Sequence, residues 1–339
     1  MKAMRLVEFG ARPVFDLVDL DDPVPGPGQV VVKVATAAMN RRDPWVWTAP
    51  GYCRLPVTLG SDGAGIVSSV GVGVTGVQPG DEVVINPTLN WDRGCDVPGP
   101  DFDILGAPSD GTFAEKVVIP AGNVAARPTR LSWEESGALP LGGLTAWRAL
   151  FVCGRVASGT RVLITGASGG VSSFLVQLAA AAGAFVVVTT SNAAKADRAL
   201  ALGASAAVLH DEPDWPAAVV EAAGSALDVV VDSFGGPSWS AALPLLRTGG
   251  IFVTFGDTGG TSAEIEVSDV YWNWRSIVGT SMGSPEDFAA MLQHVEAAAW
   301  RPLVDSVFAL EDLALAAERL AAPDRFGKVV IHVSEDPSA

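Results

Sequence analysis

The sequence predicts an α/β protein of two units, a β-barrel or sandwich followed by a doubly wound parallel sheet. Three observations carry this expectation. Through about Val124 the apolar runs are short, β-branched and separated by Gly/Pro clusters, which is a β pattern. From Arg161 to about Gly256, short apolar runs alternate with Ala-rich amphipathic segments, the signature of a parallel sheet covered on both faces. At the head of that alternation a small-residue turn, Gly166-Ala-Ser-Gly169-Gly170, leads from a strand into a helix.

In chain order, Val30–Val34, Ile66–Val70, Glu82–Ile85 and Ala114–Ile119 read as strands. The stretches PVPGPGQ, GVGVTGVQPGD and DVPGPD supply the turns between such runs. Past Pro128, LSWEESGALPLGGLTAWRAL reads as two short helices, with Ser132 as N-cap and Glu135 in capping-box position. Val162–Ile164, Phe185–Val188, Ala207–Leu209, Val229–Val231 and Ile251–Phe255 are the expected parallel strands. Pro285 to Ala298 and Leu310 to Leu320 are helical in pattern, and Lys328 to Val333 is a last strand able to rejoin the first unit. The expected division is residues 1–125, completed by 267–339, and residues 126–266.

The chain of 339 residues has a formal net charge of -16, which argues against nucleic-acid and anionic-membrane partners. Three cysteines, Cys53, Cys95 and Cys153, form no disulfide framework and fit a reducing interior. The start, MKAMRLVEFG, lacks a signal-peptide core, and no apolar run is long enough for a membrane span. A cytoplasmic location is the expectation.

The glycine turn puts unpaired amides, a positive helix dipole and missing Cβ atoms where a phosphate can approach. Gly166-x-x-Gly169-x-x-Ser172 imitates the dinucleotide fingerprint, with Ser172 the one misfit. Phosphate contacts would run through the amides of Gly169, Gly170 and Val171.

Further motifs occur in an order that matches a known family. AAMNRRDPWVW, LGSDGAGIVSSVG, GDEVVINP, GTFAEKVVIPAGN, ALPLGGLTAW, TGASGGVSS, DVVVDSFGG, GGIFVTFG, SIVGTSMGS and FGKVVI follow one another almost end to end. In these the chain resembles the medium-chain dehydrogenase/reductase superfamily, in its quinone-oxidoreductase and zinc-type alcohol-dehydrogenase-like branch. The resemblance implies a GroES-like barrel, a Rossmann domain, a cleft between them, and a nicotinamide cofactor transferring hydride. Homodimerisation through the Rossmann sheet edge near Ser276–Thr280 is also implied.

Zinc-dependent members of that family carry a cysteine three residues before an aspartate, then a His-Glu pair, then a distant Cys or Asp. Here Asn40 precedes Asp43, Ser61-Asp62 replaces the pair, and ALPLGG offers no ligand. The structural-zinc lobe, normally with four cysteines, retains Cys95 alone. No bound metal is expected. Without a Lewis acid, the fitting substrates are quinones or carbon–carbon double bonds conjugated to a carbonyl, which delocalises the developing charge.

Tyr52 falls where enoyl-reductase relatives carry a tyrosine proton donor; lining a loop is its alternative role. Asn40 is a candidate donor to the nicotinamide carboxamide or the substrate oxyanion, or a loop-capping amide. Asp43 and Asp62 read as structural, holding the loop through hydrogen bonds. Trp45, Trp47 and Trp91 suggest a broad pocket for an apolar or aromatic small molecule, or else core and subunit contacts. After the second Rossmann strand no acid faces the ribose. Ser191 and Lys195 resemble the pair that meets a 2′-phosphate, with His210 beside the adenosine phosphate and Thr190 among the cofactor contacts, so NADP(H) is expected over NAD(H). Lys195 as a solvated helix charge is the alternative. The resemblance adds Thr145, Ser168, Ser233, Phe234, Phe255, Gly256, Thr280, Ser281, Met282 and Lys328 to the cofactor contacts, the last through phosphate. The reading that follows is a zinc-independent NADPH oxidoreductase. A zinc-free NADP-dependent alcohol or ketone dehydrogenase, and a non-catalytic NADPH-binding sensor or structural protein, are the alternatives.

Overall fold

The computed structural model describes residues 1–334 and divides them into two compact units. The first comprises residues 1–142 and those from 284 onward; the second comprises residues 143–283. Both boundaries lie about 17 residues later than the sequence suggested, and packing explains each shift. Helix Trp133–Ala138 opens with the expected capping box of Ser132 and Glu135 and lies on the β-rich unit. There the Thr36 hydroxyl donates to the Trp133 carbonyl at 2.6 Å, and a Cβ on Gly137 would sit 2.4 Å from that hydroxyl. At the other end, strand Ser276–Gly279 is hydrogen-bonded into the parallel sheet, so the second unit continues past residue 266.

The β-rich unit is built on a seven-stranded sheet. Its strands run in the order Val124–Ala126, Glu82–Ile85, Asp62–Val70, Gln29–Ala38, Lys328–His332 and Val304–Ala309, with Lys116–Pro120 also paired to Gln29–Ala38. A three-stranded sheet, Val14–Asp19, Lys2–Glu8 and Val57–Thr58, and a two-stranded one, Thr88–Leu89 with Asp103–Ile104, accompany it. The last strand does rejoin this unit, parallel to Val304–Ala309 and antiparallel to Gln29–Ala38. Leu6, Met39, Leu59, Ile85, Phe113 and Ile119 are fully buried in the core. Each such side chain contributes about 1.5–3 kcal/mol of transfer free energy.

The second unit is a six-stranded, wholly parallel sheet ordered Ala206–Leu209, Phe185–Thr190, Arg161–Ile164, Leu227–Asp232, Leu246–Thr254 and Ser276–Gly279. The order reverses beside Arg161–Ile164, which is the switch point where such sheets bind ligands beyond their carboxyl ends. Leu163, Val187, Val230 and Phe252 are fully buried in its core. Near-continuous Val/Ile/Leu runs are what a sheet covered on both faces requires. The sixth strand is exposed along much of its length, and its mixed sequence, SIVG, carries little strand signal.

Candidate active site

In the parallel-sheet unit the predicted cofactor residues gather at one end, because every strand runs in the same direction. Gly166 to Val171 follow Arg161–Ile164, Thr190 and Ser191 end Phe185–Thr190, and His210 follows Ala206–Leu209. Ser233 and Phe234 follow Leu227–Asp232, Phe255 and Gly256 follow Leu246–Thr254, and Thr280 to Met282 follow Ser276–Gly279. Thr145 lies apart in sequence, buried in helix Pro140–Trp147.

Gly166 has φ +73°, a conformation that disfavours any side chain, and its amide donates to Thr189 Oγ1 at 3.2 Å. Gly169 is the N-cap of helix Gly170–Ala181 and provides no side-chain cap, so the first-turn amides are left to a ligand or water. Ser172, the misfit in the fingerprint, is buried in that helix, small enough for the close packing the motif demands. Ser168 sits half-buried in the turn itself.

Asp232, which motif reading passed over, is the buried anchor of this region. Its carboxylate accepts from Thr165 Oγ1 at 2.7 Å, the Gly235 amide at 2.8 Å, Ser238 Oγ at 2.9 Å and Trp239 Nε1 at 3.2 Å. One side chain therefore fixes the residue before the glycine turn and the loop after its own strand. Loops 233–236 and 257–260 are joined by the Gly259 amide donating to the Phe234 carbonyl at 2.6 Å and by a Gly235–Gly260 bridge. The Phe234 ring lies so close over Gly259 that a Cβ there would be 2.1 Å from it.

Past strand Phe185–Thr190, helix Ala193–Ala201 is capped by Asn192, whose Oδ1 accepts from the Lys195 amide at 3.0 Å. Its first turn contains no acid, and Lys195 occupies that turn with Ser191 just before the cap. His210 is exposed and 3.4 Å from Asp211.

In the β-rich unit a second polar cluster surrounds Asn40, which follows strand Gln29–Ala38. The Asn40 amide nitrogen of the backbone donates to Asp43 Oδ2 at 2.7 Å, closing the turn into helix Arg42–Trp47. Its side-chain Nδ2 donates to Asp62 Oδ2 at 2.9 Å and, more weakly, to the Ala38 carbonyl at 3.4 Å. Asp62 Oδ1 accepts from the Leu141 amide at 2.6 Å. Both aspartates thus hold loops, as their positions suggested. Asp43 Oδ1 has no hydrogen-bond partner, and burial pushes its carboxyl up to about 6, opposed by the Asn40 amide and by the charges of Arg42 and Lys328.

Lys328 is placed differently from the phosphate contact expected of it. Its side chain points into the unit with 2 % exposure, and Nζ lies 2.6 Å from both Asn40 Oδ1 and Asp62 Oδ2. Residues 328–331 are all buried in an inner strand, so a lysine at this register faces the interior rather than a ligand phosphate.

Arg42, also missed, ties this cluster to the neighbouring loop. It donates to the carbonyls of Ala107 at 2.8 Å and of Ile104 and Leu105 at 3.4 Å, and contacts Ser61 Oγ at 3.3 Å and the Tyr52 hydroxyl at 3.4 Å. Tyr52 is partly exposed, edge-on to Trp45 with ring centroids 4.6 Å apart.

The wider relationships agree with this architecture. Residues 26–129 match the family model "Alcohol dehydrogenase GroES-like domain", and residues 170–297 match "Zinc-binding dehydrogenase". A zinc-type alcohol dehydrogenase-like protein of Schizosaccharomyces pombe is 33% identical over 91% of both chains. The chain belongs to the medium-chain dehydrogenase/reductase superfamily. Its β-rich unit is the GroES-like domain of that superfamily and its parallel sheet the Rossmann domain. The rat quinone oxidoreductase is 31% identical over 98% of this chain and 97% of its own. A crystal structure of an NAD-dependent alcohol dehydrogenase superposes with a TM-score of 0.91 at 36% identity, covering 98% of this chain and all of that one. Membership makes the protein an oxidoreductase of a nicotinamide-dependent family.

Within that superfamily's active-site segment, Trp45 is exposed, whereas Trp47 and Trp91 are not pocket walls. Trp47 is buried in the barrel core, edge-on to Phe15. Trp91 packs edge-on to Phe102 and donates from Nε1 to the Cys95 carbonyl at 2.9 Å, bracing the lobe where zinc-binding members have cysteines. The donors at the catalytic-zinc position are an amide, the Ser61 hydroxyl, which donates to the Leu105 carbonyl at 2.6 Å, and a carboxylate paired with an ammonium. This set does not fit the Cys/His chemistry of zinc. Among the described residues no group of three His, Cys, Asp or Glu side chains is arranged to hold a metal ion, and no helix is long and apolar enough to cross a membrane.

Proposed function

We propose that this protein is a zinc-independent, NADPH-dependent oxidoreductase that reduces quinones or α,β-unsaturated carbonyl compounds. The observation that carries the reading is the polar cluster around Asn40, where an ammonium lies between the side chains that stand at ligand positions in zinc-dependent members. Chemistry that needs no Lewis acid fits such a site, because a conjugated carbonyl spreads the charge left by hydride addition.

The dinucleotide, when bound, supplies the hydride. The uncapped first turn of helix Gly170–Ala181 is suited to its pyrophosphate, and the glycines at 166 and 169 keep the approach clear. Ser191 and Lys195, with no acid in the first turn of helix Ala193–Ala201, favour a 2′-phosphate over a free ribose hydroxyl. Tyr52 is the proton donor in this reading. Its hydroxyl is accessible and oriented by Arg42, and it delivers a proton to the carbon left electron-rich when hydride adds to its neighbour. Asn40 orders the turn into helix Arg42–Trp47, since its backbone N–H and both its amide hydrogens are engaged within the unit. Trp45 offers an exposed ring against which a flat, apolar substrate packs.

The edge strand Ser276–Gly279 pairs on one side only, and exposed Tyr271, Trp272 and Trp274 precede it. We place a homodimer contact along this edge. No nucleic-acid or membrane partner and a cytoplasmic location remain part of the proposal, on charge and composition.

NADPH oxidation followed by absorbance against a panel of quinones and enones, with and without chelator, tests the reading. Turnover unaffected by chelator supports it; absence of both NADPH binding and turnover refutes it. The likeness to an NAD-dependent alcohol dehydrogenase favours a second reading, alcohol–ketone interconversion, which the same assay with secondary alcohols and NADP⁺ or NAD⁺ distinguishes.

A further inference from the structure

Lysine is among the residues least often buried, and a charge in an inner barrel strand is costly unless it is paired. Lys328 nevertheless opens the strand KVVIH, flanked in space by Gln29–Ala38 and Val304–Ala309, and its ammonium is buried against two oxygens at 2.6 Å. The partners are chemically ordered. An ammonium only donates and a carboxylate only accepts, so the Asn40 amide between them has one favourable orientation, Oδ1 to Lys328 and Nδ2 to Asp62. Turning it over would set its NH₂ against the ammonium and its oxygen against the carboxylate. The same Nζ bridges Asn40 and Asp62, so a metal ion between these oxygens would meet a positive charge already in place.

We propose that the Lys328 ammonium is the resident cation of this site. It fixes the Asn40 amide and closes Asp62 to divalent ions. Lys328 is thus a positioning residue that acts through Asn40 and Asp62. Its meaning for the reaction rests on the zinc-independent reading above, whereas its electrostatic role can be tested apart from turnover.

The test uses the full chain carrying Lys328→Ala, alone and with Asp62→Asn. Thermal midpoints are measured in buffer, in n-propylammonium chloride and in propan-1-ol, and zinc content is measured after dialysis against the metal. Lys328→Ala is expected to lower the midpoint by on the order of 10 °C, because one half of a buried ion pair is left alone. Propylammonium, and not the uncharged alcohol of similar size, should restore part of the loss. The double variant should recover much of the midpoint and no longer respond to propylammonium, and the wild type should retain no stoichiometric zinc. If Lys328→Ala yields no folded protein, adding Asp62→Asn should restore folding. Equal rescue by propan-1-ol, a double variant as impaired as the single one, or stoichiometric zinc in the wild type would each overturn the proposal. None of these measurements depends on turnover, so an inactive wild type would refute the proposed reaction without touching this result.

Discussion

Replacing Asp232 by alanine removes the common acceptor of four hydrogen bonds at the carboxyl end of the parallel sheet. The four donors are not equally exposed to the loss. Ser238 Oγ has a second acceptor, the Gly235 carbonyl at 2.9 Å, and the Thr165 hydroxyl can rotate. The Gly235 amide and the Trp239 indole N–H cannot turn away, and each buried donor left unpaired costs about 1–3 kcal/mol. With the carboxylate's packing added, Asp232→Ala should destabilise the protein by about 3–5 kcal/mol. Asp232→Asn keeps one oxygen for the two fixed N–H groups, and the two hydroxyls can rotate to accept from its NH₂, so its cost should be about 1 kcal/mol. Guanidinium unfolding followed by tryptophan fluorescence measures both, and Trp239 is a local reporter. Because Thr165 precedes Gly166, the alanine variant should also bind the dinucleotide about tenfold more weakly, a loss of about 1.4 kcal/mol. An Asp232→Ala protein within about 0.5 kcal/mol of wild type, or an Asn variant as unstable as the Ala variant, would refute the reasoning.

Lys195→Ala should raise the NADPH dissociation constant about tenfold and leave that of NADH unchanged, as read by fluorescence titration; a parallel loss for both would place Lys195 away from the 2′-phosphate. Tyr52→Phe should lower kcat by about 10²–10⁴-fold on enones, where a carbon must be protonated. Quinones, whose reduced oxygens take protons from water, should be largely spared, and equal loss on both substrates would count against proton donation by Tyr52. The Asp43 carboxyl, raised from 3.8 to about 6 by burial, is protonated more readily in the folded than in the unfolded chain. Its contribution to stability is therefore present below about pH 4 and lost as pH rises through 6, a change of about 3 kcal/mol. Asp43→Asn should accordingly gain in thermal midpoint relative to wild type between pH 4 and 7, and a difference independent of pH would show that the group does not titrate there.

Much of the architecture was legible because it rests on periodicity. Alternating and continuous apolar runs located the five predicted strands of the first unit and five of the six parallel strands to within a few residues, and the Ser132–Glu135 spacing marked a helix start. Domain boundaries were less legible because helix Trp133–Ala138 does not state in its sequence which core it packs against. The candidate site divides in the same way. Glycines at a strand end announce a backbone conformation, and Gly166 adopts it. The direction of a long side chain is set by register and neighbours, so Lys328 and Trp47 read as ligand contacts but face the interior. Asp232 and Arg42 act through partners distant in sequence, and no local spacing reveals them.

The position of strand Lys328–His332 also orders events during synthesis. The parallel-sheet unit, residues 143–283, is one uninterrupted stretch and can fold as soon as it leaves the ribosome. The first unit cannot close then, because the strand that fills the gap between Gln29–Ala38 and Val304–Ala309 is made only after residues 143–283. Until it docks, Asp62 lacks its ammonium and the barrel core lacks Val329 and Ile331. Closure of the sheet that residues 1–142 begin thus waits until Lys328–His332 has been made, across the whole of the intervening parallel-sheet unit, a pairing of high sequence separation.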